Sequence, residues 1–123
     1  MKRRVVVTGI GLVTPCGIGT DNVWNNILSG QSGIGPLTRF DTEKFDTKFA
    51  GEVKGFNPED YVQPKEVKKM DLFIHYAIAA SEFAMQDCGL KIDSSNAERV
   101  GTFIGSGIGG FGVIEATHTA LLE

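Results

Sequence analysis

The sequence predicts an α/β fold, and three observations predict it. Two short runs rich in β-branched and apolar residues, Val5–Thr8 and Val100–Ile104, are each stopped by a glycine, as strands buried on both faces are. Longer segments with apolar residues at three- and four-residue steps lie between and after them. The 16 glycines, about twice average usage, gather in residues 9–19, 30–35 and 101–112, where those segments meet. Such clusters mark turns that need positive φ or close backbone approach, not a flexible linker. Two strands alternating with three helices give half of an α/β layer arrangement.

Taken in order, Val5–Thr8 is the first strand and Thr14-Pro15-Cys16-Gly17 a turn. Thr20 and Asp21 are candidate caps of a helix whose apolar positions are Val23, Trp24, Ile27 and Leu28, with Gly30 as its stop. Residues 31–56 have no clean period. Phe40, Phe45, Phe49 and Phe56 anchor that stretch, with a short strand expected around Gly51–Val53. Asn57-Pro58-Glu59-Asp60 has the form of a helix start with proline in the first helical position. Lys65 to Cys88 carries the strongest helix signal, with Met70, Phe73, Ala77, Ala80, Ala84 and Cys88 in step and Gly89 as terminator. After the second strand another helix starts near Phe111, with Ile114, His118 and Leu121 on the same side. No glycine, cationic last turn or proline closes it, so the chain is expected to stop within that helix, short of a complete domain.

Composition narrows the function. A hydrophobic share of 41% and a charged share of 22% are ordinary for a globular protein. A net charge of -3 argues against a general nucleic-acid binder, which is usually basic. Met1-Lys2-Arg3-Arg4 is positive, but the apolar run behind it is too short for a signal peptide. No stretch reaches the ~18 apolar residues of a membrane span. Cys16 and Cys88 are too few for a disulfide framework, and the cytoplasm is the expected compartment.

Four features compete for a chemical role. Gly105-Ser-Gly-Ile-Gly-Gly110 fits G-x-G-x-x-G between a strand and a helix, the context of a dinucleotide site. Against that, it follows the second predicted strand instead of the first. The first strand offers Gly9-Ile-Gly11 and then Pro15, without a third glycine. Lys65, Lys68 and Lys69 share one face of a predicted helix start, where each cation costs ~0.3–1 kcal/mol against the dipole at low salt. An anionic partner or an ordinary solvated face would both account for them, since Glu66 and Asp71 leave little net charge. Cys88 falls at the C-terminal end of its helix, where a thiolate is not favoured, and Cys16 has no histidine near it in sequence, so both are read as structural. His75 and His118 have no metal-ligand spacing, and His118 is expected in a hydrogen-bonded packing role.

Val5-Val-Val-Thr-Gly-Ile-Gly-Leu-Val-Thr-Pro-Cys-Gly17, Lys65-Glu-Val-Lys-Lys-Met-Asp71 and the Gly105–Gly110 loop stand in one order. Together they resemble the N-terminal part of the beta-ketoacyl-[acyl-carrier-protein] synthases, nearest the type II branch of bacterial fatty acid synthesis. The resemblance runs over nearly the whole chain. It implies the partial N-terminal half of a thiolase-like layered αβαβα fold, a homodimer at full length, and elongation of acyl chains by decarboxylative Claisen condensation. It places the nucleophilic cysteine, the two histidines and the lysine of that chemistry beyond residue 123, so no catalytic residue is assigned in this chain and the piece alone is expected to be inactive. It implies no cofactor and no metal.

By the same resemblance Ile108 gates the acyl pocket, with Phe111 nearby, and Lys65, Lys68 and Lys69 dock acyl carrier protein bearing acyl or malonyl groups. Type II synthases often carry arginine where Lys68 stands; lysine keeps the charge and loses bidentate geometry. Two other classes stay open: a dinucleotide-binding module built on the Gly105–Gly110 loop, and a non-catalytic interaction protein.

Overall fold

The computed structural model describes residues 2–123. Its first regular element is a tight antiparallel hairpin, β1 (Val13–Thr14) with β2 (Gly17–Ile18), in which Thr14 faces Gly17. Gly17, with φ 149°, makes the turn, and the Thr14 hydroxyl accepts from the Cys16 N–H at 3.1 Å. Helix α1 (Thr20–Leu28) follows at once and buries Val23. Its cap is Gly19, at φ 81°, and not Thr20 or Asp21. The Thr20 hydroxyl instead donates to the Ile10 carbonyl at 2.9 Å, a tertiary bond that outcompetes local capping. Gly30, at φ 71°, lies just past the helix end, as expected.

Strands β3 (Ile34–Pro36) and β4 (Phe49–Gly51) pair antiparallel with Gly35 opposite Ala50. The second of these lies two residues earlier than expected. The Asn57 side chain then caps a single 3-10 turn, Pro58–Asp60, accepting from the Glu59 N–H at 3.3 Å. The long helix expected from Lys65 to Cys88 is two helices, α2 (Pro64–Val67) and α3 (Leu72–Cys88). Asp71 divides them: its carboxylate caps α3, and aspartate is far better placed at an N-cap than inside a helix. Gly89, at φ 64°, ends α3 as read from the sequence. A 3-10 turn at Ala97–Arg99 and helix α4 (Phe111–Leu122) complete the order.

Neither predicted strand forms a ladder. Val5–Thr8 and Val100–Ile104 have no paired partner, and Val5, Val7 and Phe103 are 92%, 81% and 100% exposed. Among the described residues the sheets are two separate two-stranded hairpins, with no parallel layer. The composition of both runs suits a buried sheet, but strand structure requires a second backbone to accept its hydrogen bonds. The layered αβαβα arrangement is therefore not formed by these residues alone.

Helix α3 organises what core there is. On one flank, Tyr76 and Phe83 meet Phe56 and Tyr61: Phe56 stacks on Tyr61 at 5.4 Å, while Tyr76 and Phe83 approach edge-on at 4.9 and 5.6 Å. Burial raises the Tyr61 phenol above its ordinary range, with Asp60 and Glu82 adding to the effect. On the other flank, residues 9–11 lie directly on the helix backbone. A Cβ at Gly9 would reach the Ala84 carbonyl and Cys88, and one at Gly11 would reach Ala80 and, at 2.6 Å, the Ala84 nitrogen. The Ile10 N–H donates to the Asp87 carboxylate at 2.8 Å. These glycines serve close approach, as their clustering suggested. Among the described residues Val23, Val62, Ala79 and His75 are buried, and both ring nitrogens of His75 lack a partner. The most buried positions of α3 are thus His75 and Ala79, not the predicted stripe, because the helix is covered from two sides.

Gly11→Ala should destabilise the chain by ~1–3 kcal/mol, since the new methyl meets immobile helix backbone. Gly35→Ala, whose Cβ would meet only the Lys54 ammonium at 3.6 Å, should be close to neutral by comparison. Urea denaturation of the two variants side by side checks this; equal midpoints would show that the close approach carries no weight.

Candidate functional site

The predicted gate segment meets the rest of the molecule at one carboxylate. Asp71 Oδ1 accepts from the Leu72 N–H at 2.6 Å and so caps α3. Its Oδ2 accepts from the Val113 N–H, in the first turn of α4, at 3.4 Å. One aspartate therefore sits at the positive ends of two helices, where a negative charge is favoured. Gly110, the residue before α4, lies so close to this carboxylate that a Cβ would overlap it. Gly109 has φ 98°, which strongly favours glycine there, and a Cβ at that position would lie 3.6 Å from the Phe73 ring. Gly105 and Gly107 face open space.

An open cleft of about 520 Å³ lies at this junction, walled by Arg39, Phe40, Phe73, Tyr76, Phe111 and Glu115 together with Asp71 and the glycines. The structure thus brings Phe111 into the cleft. Ile108 is 71% exposed and does not line it. On the far wall the Arg39 guanidinium donates to the Tyr76 hydroxyl at 2.9 Å. The backbone around Arg39 is tied to Glu52: the Thr38 N–H donates to Oε1 at 3.0 Å, the Thr38 hydroxyl to Oε2 at 2.7 Å, and the Arg39 N–H to Oε1 at 3.3 Å. These donors, the Thr38 N–H foremost and its hydroxyl next, hold the Glu52 carboxyl below the usual range, with the Arg39 charge helping.

Sequence reasoning did not single out Asp71, Arg39 or Tyr76. For Asp71 a signal existed: an N-cap residue immediately ahead of an apolar run. For Arg39 and Tyr76, 37 residues apart, none did.

The three lysines are exposed, but they are not cations at the start of a long helix. Lys65 is in the four-residue α2, Lys68 is its C-cap, and Lys69 follows in the turn. A single turn has too few aligned peptides for an appreciable macrodipole, so the expected electrostatic cost lapses. Lys69 pairs with Glu66 at 3.0 Å. His118 is exposed, in place of the packing role expected of it. Both cysteines are free and half-buried; Cys88 Sγ donates to the Met85 carbonyl and accepts from the Leu90 N–H, both at 3.4 Å, which gives it a helix-ending role. The dinucleotide reading of Gly105–Gly110 meets a physical obstacle. A pyrophosphate there would rest on free amides at the start of α4, and the carboxylate of Asp71 already holds that end.

Residues 2–122 match the family described as beta-ketoacyl synthase, N-terminal domain. The chain is 52% identical over 122 residues to 3-oxoacyl-[acyl-carrier-protein] synthase 2 of Vibrio cholerae, a match covering 99% of this chain and 30% of that protein. It is 44% identical over 122 residues to the protein of the same name from Staphylococcus aureus, again over 99% of this chain and 30% of the relative. Among solved structures, the ishigamide ketosynthase/chain length factor superposes with a TM-score of 0.67 at 37% identity, over 74% of this chain and 23% of that one. The chain thus spans about 30% of the length of the curated relatives it matches.

Because its folded-state pKa is depressed, Glu52 contributes stability above the ordinary glutamate pKa of ~4.3 and loses it as pH falls through the lower folded value. The Thr38 amide proton should therefore shift in an acid titration followed by NMR, with a midpoint below ~4.3. Glu52→Gln should abolish that transition. A midpoint at or above the ordinary value would show that Thr38 does not hold the carboxylate in solution.

Proposed function

The chain belongs to the beta-ketoacyl synthase family through that family's N-terminal domain, and from this premise we propose that it is part of a 3-oxoacyl-[acyl-carrier-protein] synthase of type II. The observation that carries the reading is the identity of 44–52% to synthases of that name along 99% of the chain. The whole protein accepts an acyl group from acyl carrier protein onto a cysteine outside residues 1–123. It then condenses that group with the carbanion released when malonyl-carrier protein loses carbon dioxide. Covalent capture divides the difficult step, and backbone donors hold the developing oxyanion. The family's histidines lie outside these residues too, so the 123-residue piece forms no product by itself. The family resemblance supports a reaction in the cytoplasm. No described helix is long and apolar enough to cross a membrane.

Within that enzyme the exposed runs Val5–Thr8 and Val100–Ile104 become strands of the layered αβαβα core. Their burial-type composition, with valine and phenylalanine side chains now bare, supports this. Full-length chains pair as a homodimer. Phe111 and Ile108 border the acyl tunnel. The supporting geometry is the glycine-lined approach to Phe111. Lys65, Lys68 and Lys69 form an exposed cationic surface for the acidic carrier protein.

The full-length enzyme, given acyl- and malonyl-carrier proteins and read by mass spectrometry, should form the 3-oxoacyl product; absence of product would overturn the assignment. Ile108→Trp should block twelve-carbon donors and spare two-carbon donors, because the added ring strains a packed tunnel by ~1–3 kcal/mol and only long chains must pass it. Equal loss with both donors would remove the gate.

Changing all three lysines to glutamate should collapse carrier-protein binding while a small acyl-thioester still reacts. Each exposed cation is worth only ~0.2–1 kcal/mol. The joint effect should fall mainly on the association rate and fade with salt, as screening shortens to ~8 Å at physiological strength. Unchanged binding at low salt would return the lysines to solvated surface.

A further inference from the structure

We propose that Asp71 is a positioning residue for acyl-chain selection, whose carboxylate bridges the first turns of α3 and α4 and so fixes the loop that carries Ile108. This rests on the acyl role given above to Ile108. Three observations converge on the bridge. The two oxygens of Asp71 accept from different helices, Leu72 in α3 and Val113 in α4. Gly110 fits against the carboxylate only because it has no Cβ. Gly109, at φ 98° over the Phe73 ring, sets the direction in which the chain leaves the junction.

Ile108 therefore stands immediately before two residues, Gly109 and Gly110, that are seated against Phe73 and Asp71. The contacts of Gly109 and Gly110 fix where this loop turns into α4. Asp71 holds that end through its bonds to Leu72 and Val113. Loss of the Val113 bond or displacement of Gly110 shifts the end of this loop, and with it the space left beside Ile108 for a long acyl chain. A two-carbon chain does not reach that space.

The test uses the full-length enzyme and the ratio of kcat/KM for twelve-carbon over two-carbon acyl-carrier donors, with thermal denaturation as a record of folding. Asp71→Asn retains a carbonyl oxygen to cap α3 and loses the charge shared with Val113. It should lower the ratio about tenfold, the size of one lost hydrogen bond to a charged group. Gly110→Ala should lower the ratio as well, because its methyl meets the carboxylate. Adding Asp71→Ser, a shorter side chain that still caps α3, should restore part of the ratio in the Gly110→Ala background. Simple destabilisation predicts the reverse, a double variant worse than either single one.

A ratio for Asp71→Asn within about twofold of wild type, or a double variant whose losses add, would overturn the inference. Should Asp71→Asn not fold, Gly110→Ala and the double variant decide the matter by the same ratio. Wild-type enzyme that condenses normally while no variant moves the ratio sinks this inference alone. Wild-type enzyme that forms no product sinks the proposed function and this with it.

Discussion

The structure depends on how closely a backbone can lie on helix α3. Residues 9–11 rest against the Ala80–Cys88 stretch with no side chain between them, and only glycine permits that separation. Alanines on the helix side complete the fit, so both partners give up side-chain volume. The bonds from Ile10 to Asp87 and from Thr20 to Ile10 become possible once the two backbones are this near. They in turn place the β1–β2 hairpin and the start of α1. The aromatic cluster on the opposite flank then fixes α3 from the other side. A helix clamped in this way is a rigid base, and Asp71 and Phe73 stand on its first turn.

The same device appears again at the candidate site. Gly110 against Asp71 is like Gly11 against Ala80 in leaving no room for a methyl group, but Gly110 meets the capping side chain and Gly11 the helix backbone. The two contacts serve different ends. At Gly9 and Gly11 a run of three residues is seated, which gives a permanent interface. At Gly109 and Gly110 only the end of the loop is seated, and a Cβ at Gly105 or Gly107 would meet open space. Glycine number alone does not say which glycines serve close approach; the space around each does.

Much of this could be read in the residues, and the failures have identifiable causes. The positions of α1 and α4, and the stops at Gly30 and Gly89, follow from periodicity and from the left-handed conformation that glycine tolerates. The break at Asp71 was legible too, but the unbroken apolar period across it concealed the cap. Thr20 was misread because its hydroxyl is claimed by the distant Ile10 carbonyl, and no local pattern encodes a bond ten residues away. Val5–Thr8 and Val100–Ile104 have strand composition without strand structure. Composition reports the environment a segment suits, while a ladder requires a second strand. Arg39 and Tyr76 meet only through the tertiary fold. At the site, the residues that family resemblance supplied, Ile108 and Phe111, left out the aspartate that ties their loop down.

Charge at the start of α4 separates the competing functions more sharply than the glycine motif does. A Gly-rich loop running into a helix recruits phosphate when the first amides of that helix point at empty, neutral space. Here Asp71 brings a full negative charge to that end, bonded to Val113, and Gly110 is pressed against it. A pyrophosphate at the start of α4 would have to approach this carboxylate at close range, a repulsion that Arg39 on the far wall offsets only in part, since its guanidinium is bonded to Tyr76. An acyl chain carries no charge and meets no such barrier. The glycines and the aromatic wall therefore suit an apolar ligand, while the carboxylate disfavours a phosphate at the start of α4. The cationic surface that would receive an anionic partner is separate from this cleft, on the exposed turn formed by α2 and Lys69, with Lys69 only two residues before Asp71. Under the proposed function, the surface assigned to the carrier and the cleft assigned to its cargo would adjoin between Lys69 and Asp71.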